Sequence, residues 1–132
     1  MALGKIKADT LEHSTAGSLD TSYVVNGSSK AWWSAIGTSA SINSGSLNTS
    51  GLTDNGVGDF TVAFSNSLSS ANYSYGGTAG RPSSTDASSI NLQSYGGAIL
   101  VGSYRYKITE SNANVDNAYD GISAIQIFGD LA

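Results

Sequence analysis

Two apolar stretches, KAWWSAI (residues 30–36) and DNGVGDFTVAF (residues 54–64), decide the fold of this chain. In the second stretch Phe60, Val62 and Phe64 alternate with smaller or polar residues. This two-residue period is typical of a strand with one buried face. The Asp-Asn-Gly that opens the stretch favours a hairpin turn, because these residues tolerate positive φ. We therefore expect central strands of an antiparallel β structure, without recognisable catalytic chemistry.

Trp32 and Trp33 are adjacent in the first stretch, so in a strand their side chains must lie on opposite faces. One of them can enter the core while the other meets a second sheet, a neighbouring subunit or solvent. Two large aromatic side chains on opposite faces of one strand suggest a strand that is buried on both faces, once within its own domain and once against a neighbour. We therefore predict that Trp32 and Trp33 take part in assembly.

The remainder of the chain continues the β pattern at short intervals. Further strand candidates are Tyr23–Asn26, Ser39–Ile42, Leu47–Leu52, Ala71–Tyr75, Ser88–Ser94, Ala98–Ile108 and Gly121–Phe128. Turn signals separate them, and we expect the pairs Gly76-Gly77 and Gly96-Gly97 to break strands. Such a series of about seven to nine short strands predicts a sandwich or barrel. We find no convincing helical stripe, and only one helical turn near Ala8–Glu12 is considered.

Composition bounds the classes of function. The 132 residues predict one domain, charged residues make up only 12% of them, and the net charge is −4. A nucleic-acid partner is not expected, since phosphate binding needs clustered Lys and Arg. The chain has no Cys, which excludes disulfides and thiolate metal sites. No window is apolar enough to predict a membrane span.

Residues 1–29 differ from the rest because their apolar residues, such as Ile6 and Leu11, are scattered among charged ones. We expect an extended N-terminal arm that packs onto its own copies or another protein, with Ile6 and Leu11 as candidates for the assembly contact; a flexible terminus is the alternative. No signal peptide is predicted, although the composition looks extracellular. A virion component, made in the cytoplasm and released by lysis, reconciles these observations. An unusual intracellular β protein, non-classical export and a removed signal are the alternatives.

Residue patterns for chemistry are weak. The single histidine, His13, lies in the arm, and the carboxylates, such as Asp54 and Asp59 around the hairpin, stand in turn-like contexts. Residues 112–117 only distantly resemble a calcium loop. We therefore predict no catalytic residues, metal or other cofactor. Candidates for glycan contact are Tyr73, Tyr75 and Arg81, although a core or intersubunit role is favoured for the tyrosines.

Several short elements of the chain resemble those of a known kind of domain. These elements are Ala31-Trp32, Thr53-Asp54-Asn55-Gly56, Gly58–Phe64, Ala71-Asn72-Tyr73, Ile127-Phe128-Gly129 and the arm Ile6–Ser18. Together they resemble a small domain of bacteriophage tail-fibre and appendage proteins, including those of marine and cyanobacterial phages. Trp33 departs from the resemblance, since a smaller residue such as Val is expected there.

The resemblance implies a homotrimeric β-sandwich in the virion, attached by the N-terminal arm with the domain pointing outward. Because the chain has no shaft repeats, a head-decoration protein, a spike or a short tail-fibre tip fits better than a long fibre. We expect a single antiparallel, jelly-roll-like β-sandwich over residues 30–132, preceded by the arm of residues 1–29. The expected partners are further copies of the chain and other virion proteins. The alternative function is a host-surface glycan-binding module, and a polysaccharide-degrading appendage is a third hypothesis.

Overall fold

A computed structural model of the chain describes residues 8–81, 89–112 and 115–132. These residues are mostly β structure, and two antiparallel sheets pack around a shared apolar core. The predicted all-β sandwich is therefore confirmed. The jelly-roll-like arrangement stays a prediction.

The described residues form eleven strands, one α-helix and one 3-10 turn. In chain order the strands are β1 (Thr10–His13), β2 (Gly17–Asp20), β3 (Ser29–Ile36), β4 (Ser41–Ile42), β5 (Thr49–Gly56), β6 (Asp59–Phe64), β7 (Ser74–Gly80), β8 (Ser89–Leu100), β9 (Ser103–Asn112), β10 (Val115–Ala118) and β11 (Ile122–Phe128). The α-helix α1 spans Thr21–Gly27, and the 3-10 turn spans Gly37–Ser39.

Two sheets make up the sandwich. The four-stranded sheet has the order β4-β3-β11-β7, and the five-stranded sheet has the path β10-β9-β6-β5 with β8 also paired to β9. β8 pairs along most of β9, so β6 and β10 share the other edge of that strand. β1 and β2 form a separate two-stranded hairpin.

The core lies between the inward faces of the two sheets. Trp33 from β3, Ile125 from β11 and Phe60 from β6 are each 1% exposed. Strand β6 shows the predicted alternation, with Phe60, Val62 and Phe64 buried and the residues between them half-buried. From β9, the rings of Tyr104 and Tyr106 stack with centroids 6.0 Å apart. The period of two therefore identifies the buried face correctly in the central strands.

The hairpin between β5 and β6 is confirmed, but its turn lies at Val57-Gly58 rather than at Asp54–Gly56. The Asp54 carboxylate accepts a hydrogen bond from the Gly56 N–H at 2.9 Å, as expected of Asp near a turn. Gly58 has φ +69°, and a Cβ there would lie 2.5 Å from the Ile108 carbonyl oxygen. Its N–H donates to Asp120 Oδ1 at 2.6 Å, which joins the hairpin to the opposite end of the chain.

The two glycine pairs do not break strands, contrary to prediction. Gly76-Gly77 lies inside β7, where a Cβ on Gly77 would come within 2.4 Å of the Ala124 carbonyl oxygen. Gly96-Gly97 lies inside β8, at a shift in its register with β9, and the turn follows at Val101-Gly102. The predicted strand Ala98–Ile108 is therefore the end of one strand and the start of the next. Gly77 allows the close approach of β11, and Gly96-Gly97 lies where the register between β8 and β9 shifts.

The N-terminal segment is not simply extended. It contains the β1–β2 hairpin and α1, so the interpretations of Ala8–Glu12 as a helical turn and of Tyr23–Asn26 as a strand are wrong. The Asp20 carboxylate begins α1 by accepting a hydrogen bond from the Ser22 N–H at 2.7 Å. Because α1 buries none of its residues, its sequence has no apolar periodicity from which a helix could be predicted.

Candidate functional site

The outward face of the four-stranded sheet carries a shallow groove of about 520 Å³. It crosses the three adjacent strands β3, β11 and β7. On this face Gln126 of β11 lies between Trp32 of β3 and Gly76 of β7. Two residues further along the strands, Ala124 lies between Ser34 and Thr78. We call this surface the sheet groove, and its lining is Trp32, Trp33, Ser34, Gly76, Gly77, Thr78, Ala124, Ile125 and Gln126.

The groove is concave because small residues stand at its centre and larger ones at its ends. The Trp32 ring stands at one end, and a smaller depression of about 140 Å³ continues past Ala124 toward Ile122 at the other. The residues that line both depressions are uncharged. Such a surface can offer stacking and neutral hydrogen bonds, but it supplies no ion pair.

The backbone of Trp32 is paired on both edges of its strand, although the residue is 40% exposed. Its backbone pairs with β11 on one side, and on the other its N–H donates to the Leu47 carbonyl at 3.1 Å. The Leu47 N–H returns a bond to the Trp32 carbonyl at 2.9 Å. Nearby, Ser34 Oγ accepts from Asn43 Nδ2 at 3.0 Å, which leaves the Ser34 hydroxyl hydrogen able to donate.

Of the candidates for glycan contact, Tyr73 lies in the core, which agrees with the role favoured for it from the sequence and excludes it as a surface contact. Its side chain is 8% exposed, and its hydroxyl donates to the carbonyls of Leu100 at 3.3 Å and Ser103 at 3.1 Å. Burial raises the pKa of Tyr73 to about 12. Tyr73 precedes β7, which begins at Ser74, so alternation along the strand does not determine its face.

The other two predicted contacts do not form a shared open surface. Tyr75 is 41% exposed, but it lies opposite Ile127 on the inward side of its sheet, with its ring 4.9 Å from that of Tyr104. The Arg81 guanidinium pairs with Glu110 and lies 5.0 Å over the Tyr119 ring. Arg81 is thus engaged within the domain.

The residues predicted to take part in assembly also differ in their exposure. Trp33 is buried within its own domain, so its assignment to a subunit contact is wrong, whereas Trp32 faces outward. Leu11 is 49% exposed and lies opposite Leu19 in the β1–β2 hairpin. Ile6 lies outside the described residues.

The N-terminal segment exposes an unusual share of apolar side chains. We call these side chains the N-terminal apolar surface, and they are Leu11, Leu19, Tyr23, Val24 and Val25. Each is at least 42% exposed. Lys30 Nζ, which donates to the Val25 carbonyl and to Ser28 Oγ, connects the segment to the start of β3.

Carboxylates near the hairpin have structural partners. Asp59 forms a two-point ion pair with Arg105, with Nε to Oδ1 at 2.8 Å and Nη2 to Oδ2 at 2.6 Å. The hydrogen bond from Arg105 holds the pKa of Asp59 below its ordinary value. In the described ranges no three His, Cys, Asp or Glu side chains are grouped to hold a metal ion. The calcium-like segment, residues 112–117, lies partly outside those ranges.

Of the helices in the described part of the chain, none has the length and apolarity to cross a membrane. Comparison of the chain with protein-family models, with curated proteins and with solved structures finds no match.

Proposed function

We propose that this chain is a non-enzymatic structural protein of a bacteriophage virion. In this proposal it is a homotrimeric appendage, such as a head-decoration protein, a spike or a short tail fibre. Residues 1–29 attach it to the particle, and the β-sandwich faces outward. The resemblance to phage appendage domains supports the virion role.

The observation that carries the assembly part of the proposal is the N-terminal apolar surface. A two-stranded hairpin is marginal by itself in water, and an isolated helix as short as the seven residues of α1 is unstable. Among the side chains that the structure describes, these elements bury none against the sandwich that could compensate, since the buried apolar residues of that set lie between Ala31 and Ile127. Burying one exposed Leu or Val contributes about 1.5–3 kcal/mol. Packing on other copies, or on a virion protein, would stabilise the segment.

Solution mass tests the proposal with point variants of the full chain. We expect the wild-type protein to have three times the 13.5 kDa mass of one chain in light scattering at micromolar concentration. Leu11→Ser combined with Leu19→Ser should shift the mass toward that of the monomer, because it removes one cross-strand apolar pair. Val57→Ser is a matched control, since Val57 is 63% exposed on the sandwich. A monomeric wild-type protein would contradict the homotrimer.

The virion role has a separate test. Antibody raised against the sandwich, coupled to gold, should label intact particles of the phage that encodes the chain. Labelling at the head would favour a decoration protein, and labelling at the tail would favour a spike or fibre. Particles without label, and without the chain in their mass-spectrometric protein composition, would overturn the proposal.

A further inference from the structure

We propose that the sheet groove binds a neutral oligosaccharide, with Trp32 as the stacking platform and Gln126, Ser34 and Thr78 as hydrogen-bonding partners. This goes beyond the structural role proposed above and does not depend on it. It also places ligand binding on a different face from the tyrosines that the sequence suggested.

The size of the groove suits a short chain of sugar rings. It crosses three strands, and neighbouring strands are about 4.8 Å apart, so its floor is roughly 10 Å wide. Its volume of about 520 Å³ lies within the range of ligand sites, which is about 300–1,000 Å³. The smaller depression toward Ile122 extends the same floor by about 140 Å³.

The chemistry of the lining selects the class of ligand. An indole offers a flat apolar face on which the C–H face of a sugar ring can lie. A Gln amide both donates and accepts hydrogen bonds, as do Ser and Thr hydroxyls, which matches the hydroxyl groups of a sugar. Gln126 lies directly beside Trp32 in the sheet, so stacking and amide contacts can reach the same ring. Because no charged residue lines the groove, an anionic or cationic ligand would lose solvation without gaining an ion pair.

The same observations disfavour a subunit as the occupant. A stable protein interface takes roughly 20–30 residues from each partner, whereas nine residues line this groove. The strand that carries Trp32 lies between β11 and Leu47, so the backbone beneath the platform is fixed before binding, which reduces the entropic cost of recognition.

The test begins with the full-length protein on an array of immobilised neutral and anionic bacterial oligosaccharides. The strongest neutral binder is then titrated by calorimetry. We expect Trp32→Ala and Gln126→Ala each to weaken binding by about tenfold or more, which corresponds to about 1.4 kcal/mol. Ala124→Phe should abolish it by filling the groove without removing a ligand contact. Tyr75→Ala is the matched control, because Tyr75 is as exposed as Trp32 but lies on the other face of the sheet. The affinity of this variant for the oligosaccharide should stay within about twofold of that of the wild type.

Three results would overturn the inference. The first is an array on which no neutral oligosaccharide binds. The second is unchanged affinity in both Trp32→Ala and Ala124→Phe, with circular dichroism showing that both variants are folded. The third is a fall in solution mass in Trp32→Ala, which would make the groove a subunit contact. Failure of the structural proposal is distinct, since it is measured by the mass of the Leu11 and Leu19 variant.

Discussion

Replacing Trp33 by alanine should destabilise this protein far more than the same replacement at Trp32, although the two residues are adjacent and identical in type. Trp33 is 1% exposed, and its ring centroid lies 6.2 Å from those of both Tyr104 and Tyr106. Trp32 is 40% exposed on the sheet groove. The pair therefore compares the two faces of one strand with a single chemical change.

The expected magnitudes follow from burial and from the space that each change leaves. Burying about 200 Å² of an aromatic side chain contributes about 5 kcal/mol at 25 cal/mol per Å². That figure is an upper limit, because the unfolded chain already buries part of this surface and alanine keeps its own Cβ. For Trp33→Ala, with the cost of the cavity between the tyrosine rings included, we expect a loss of about 3–5 kcal/mol. Trp32→Ala opens no enclosed cavity, and we expect a loss of about 1–2 kcal/mol. A domain of this size has a total stability of about 5–15 kcal/mol, so the Trp33 variant approaches the limit of folding.

The assay is equilibrium unfolding in urea, followed by far-ultraviolet circular dichroism, at several protein concentrations. Trp33→Phe serves as a folded intermediate variant if Trp33→Ala is too unstable to measure, and it should lose less than the alanine variant. Equal losses at Trp32 and Trp33 would refute the assignment of faces. A loss at Trp32 that shrinks as the protein is diluted would show that Trp32 is buried by another subunit, because a subunit contact stabilises the wild type less at low concentration.

Two further predictions concern backbone approach and pH. Gly77→Ala should lower the free energy of unfolding by about 2–3 kcal/mol in chemical unfolding, because the new Cβ would lie 2.4 Å from the Ala124 carbonyl oxygen. Gly76→Ala should change it by less than about 0.5 kcal/mol, because a Cβ there has no atom within 4 Å. Equal effects of the two changes would contradict the strand register. Asp59→Asn should cost about 1 kcal/mol at neutral pH, since the ion pair with Arg105 is partly exposed. The folded pKa of Asp59 lies below its unfolded value, so this contribution is present above about pH 4 and is lost as the pH falls through the folded pKa; a difference between wild type and variant that is constant down to low pH would contradict it.

The candidate site was only partly visible in the sequence. The adjacent tryptophans single out Trp32 in the sequence, but that pattern predicts an assembly contact and not a ligand contact. Gln126 and Thr78 gave no signal, since single uncharged polar residues in strands are ordinary. Alternation in Gly121–Phe128 does place Ala124 and Gln126 on one face. That both lie beside Trp32 depends on pairing between strands about ninety residues apart in the chain, and alternation contains no information about such pairing.

Local patterns by themselves determined the class of fold, the hairpin and the buried face of β6, because a period of two and turn chemistry act within a few residues. The same patterns required one tryptophan of the pair to face inward. They also favour Trp33, because Trp32 alternates with the polar Lys30 and Ser34 whereas Trp33 alternates with Ala31 and Ala35. Tertiary structure set Gly77 inside a strand and placed Tyr73 in the core. Those outcomes depend on close approach between distant segments, which no local sequence signal reports.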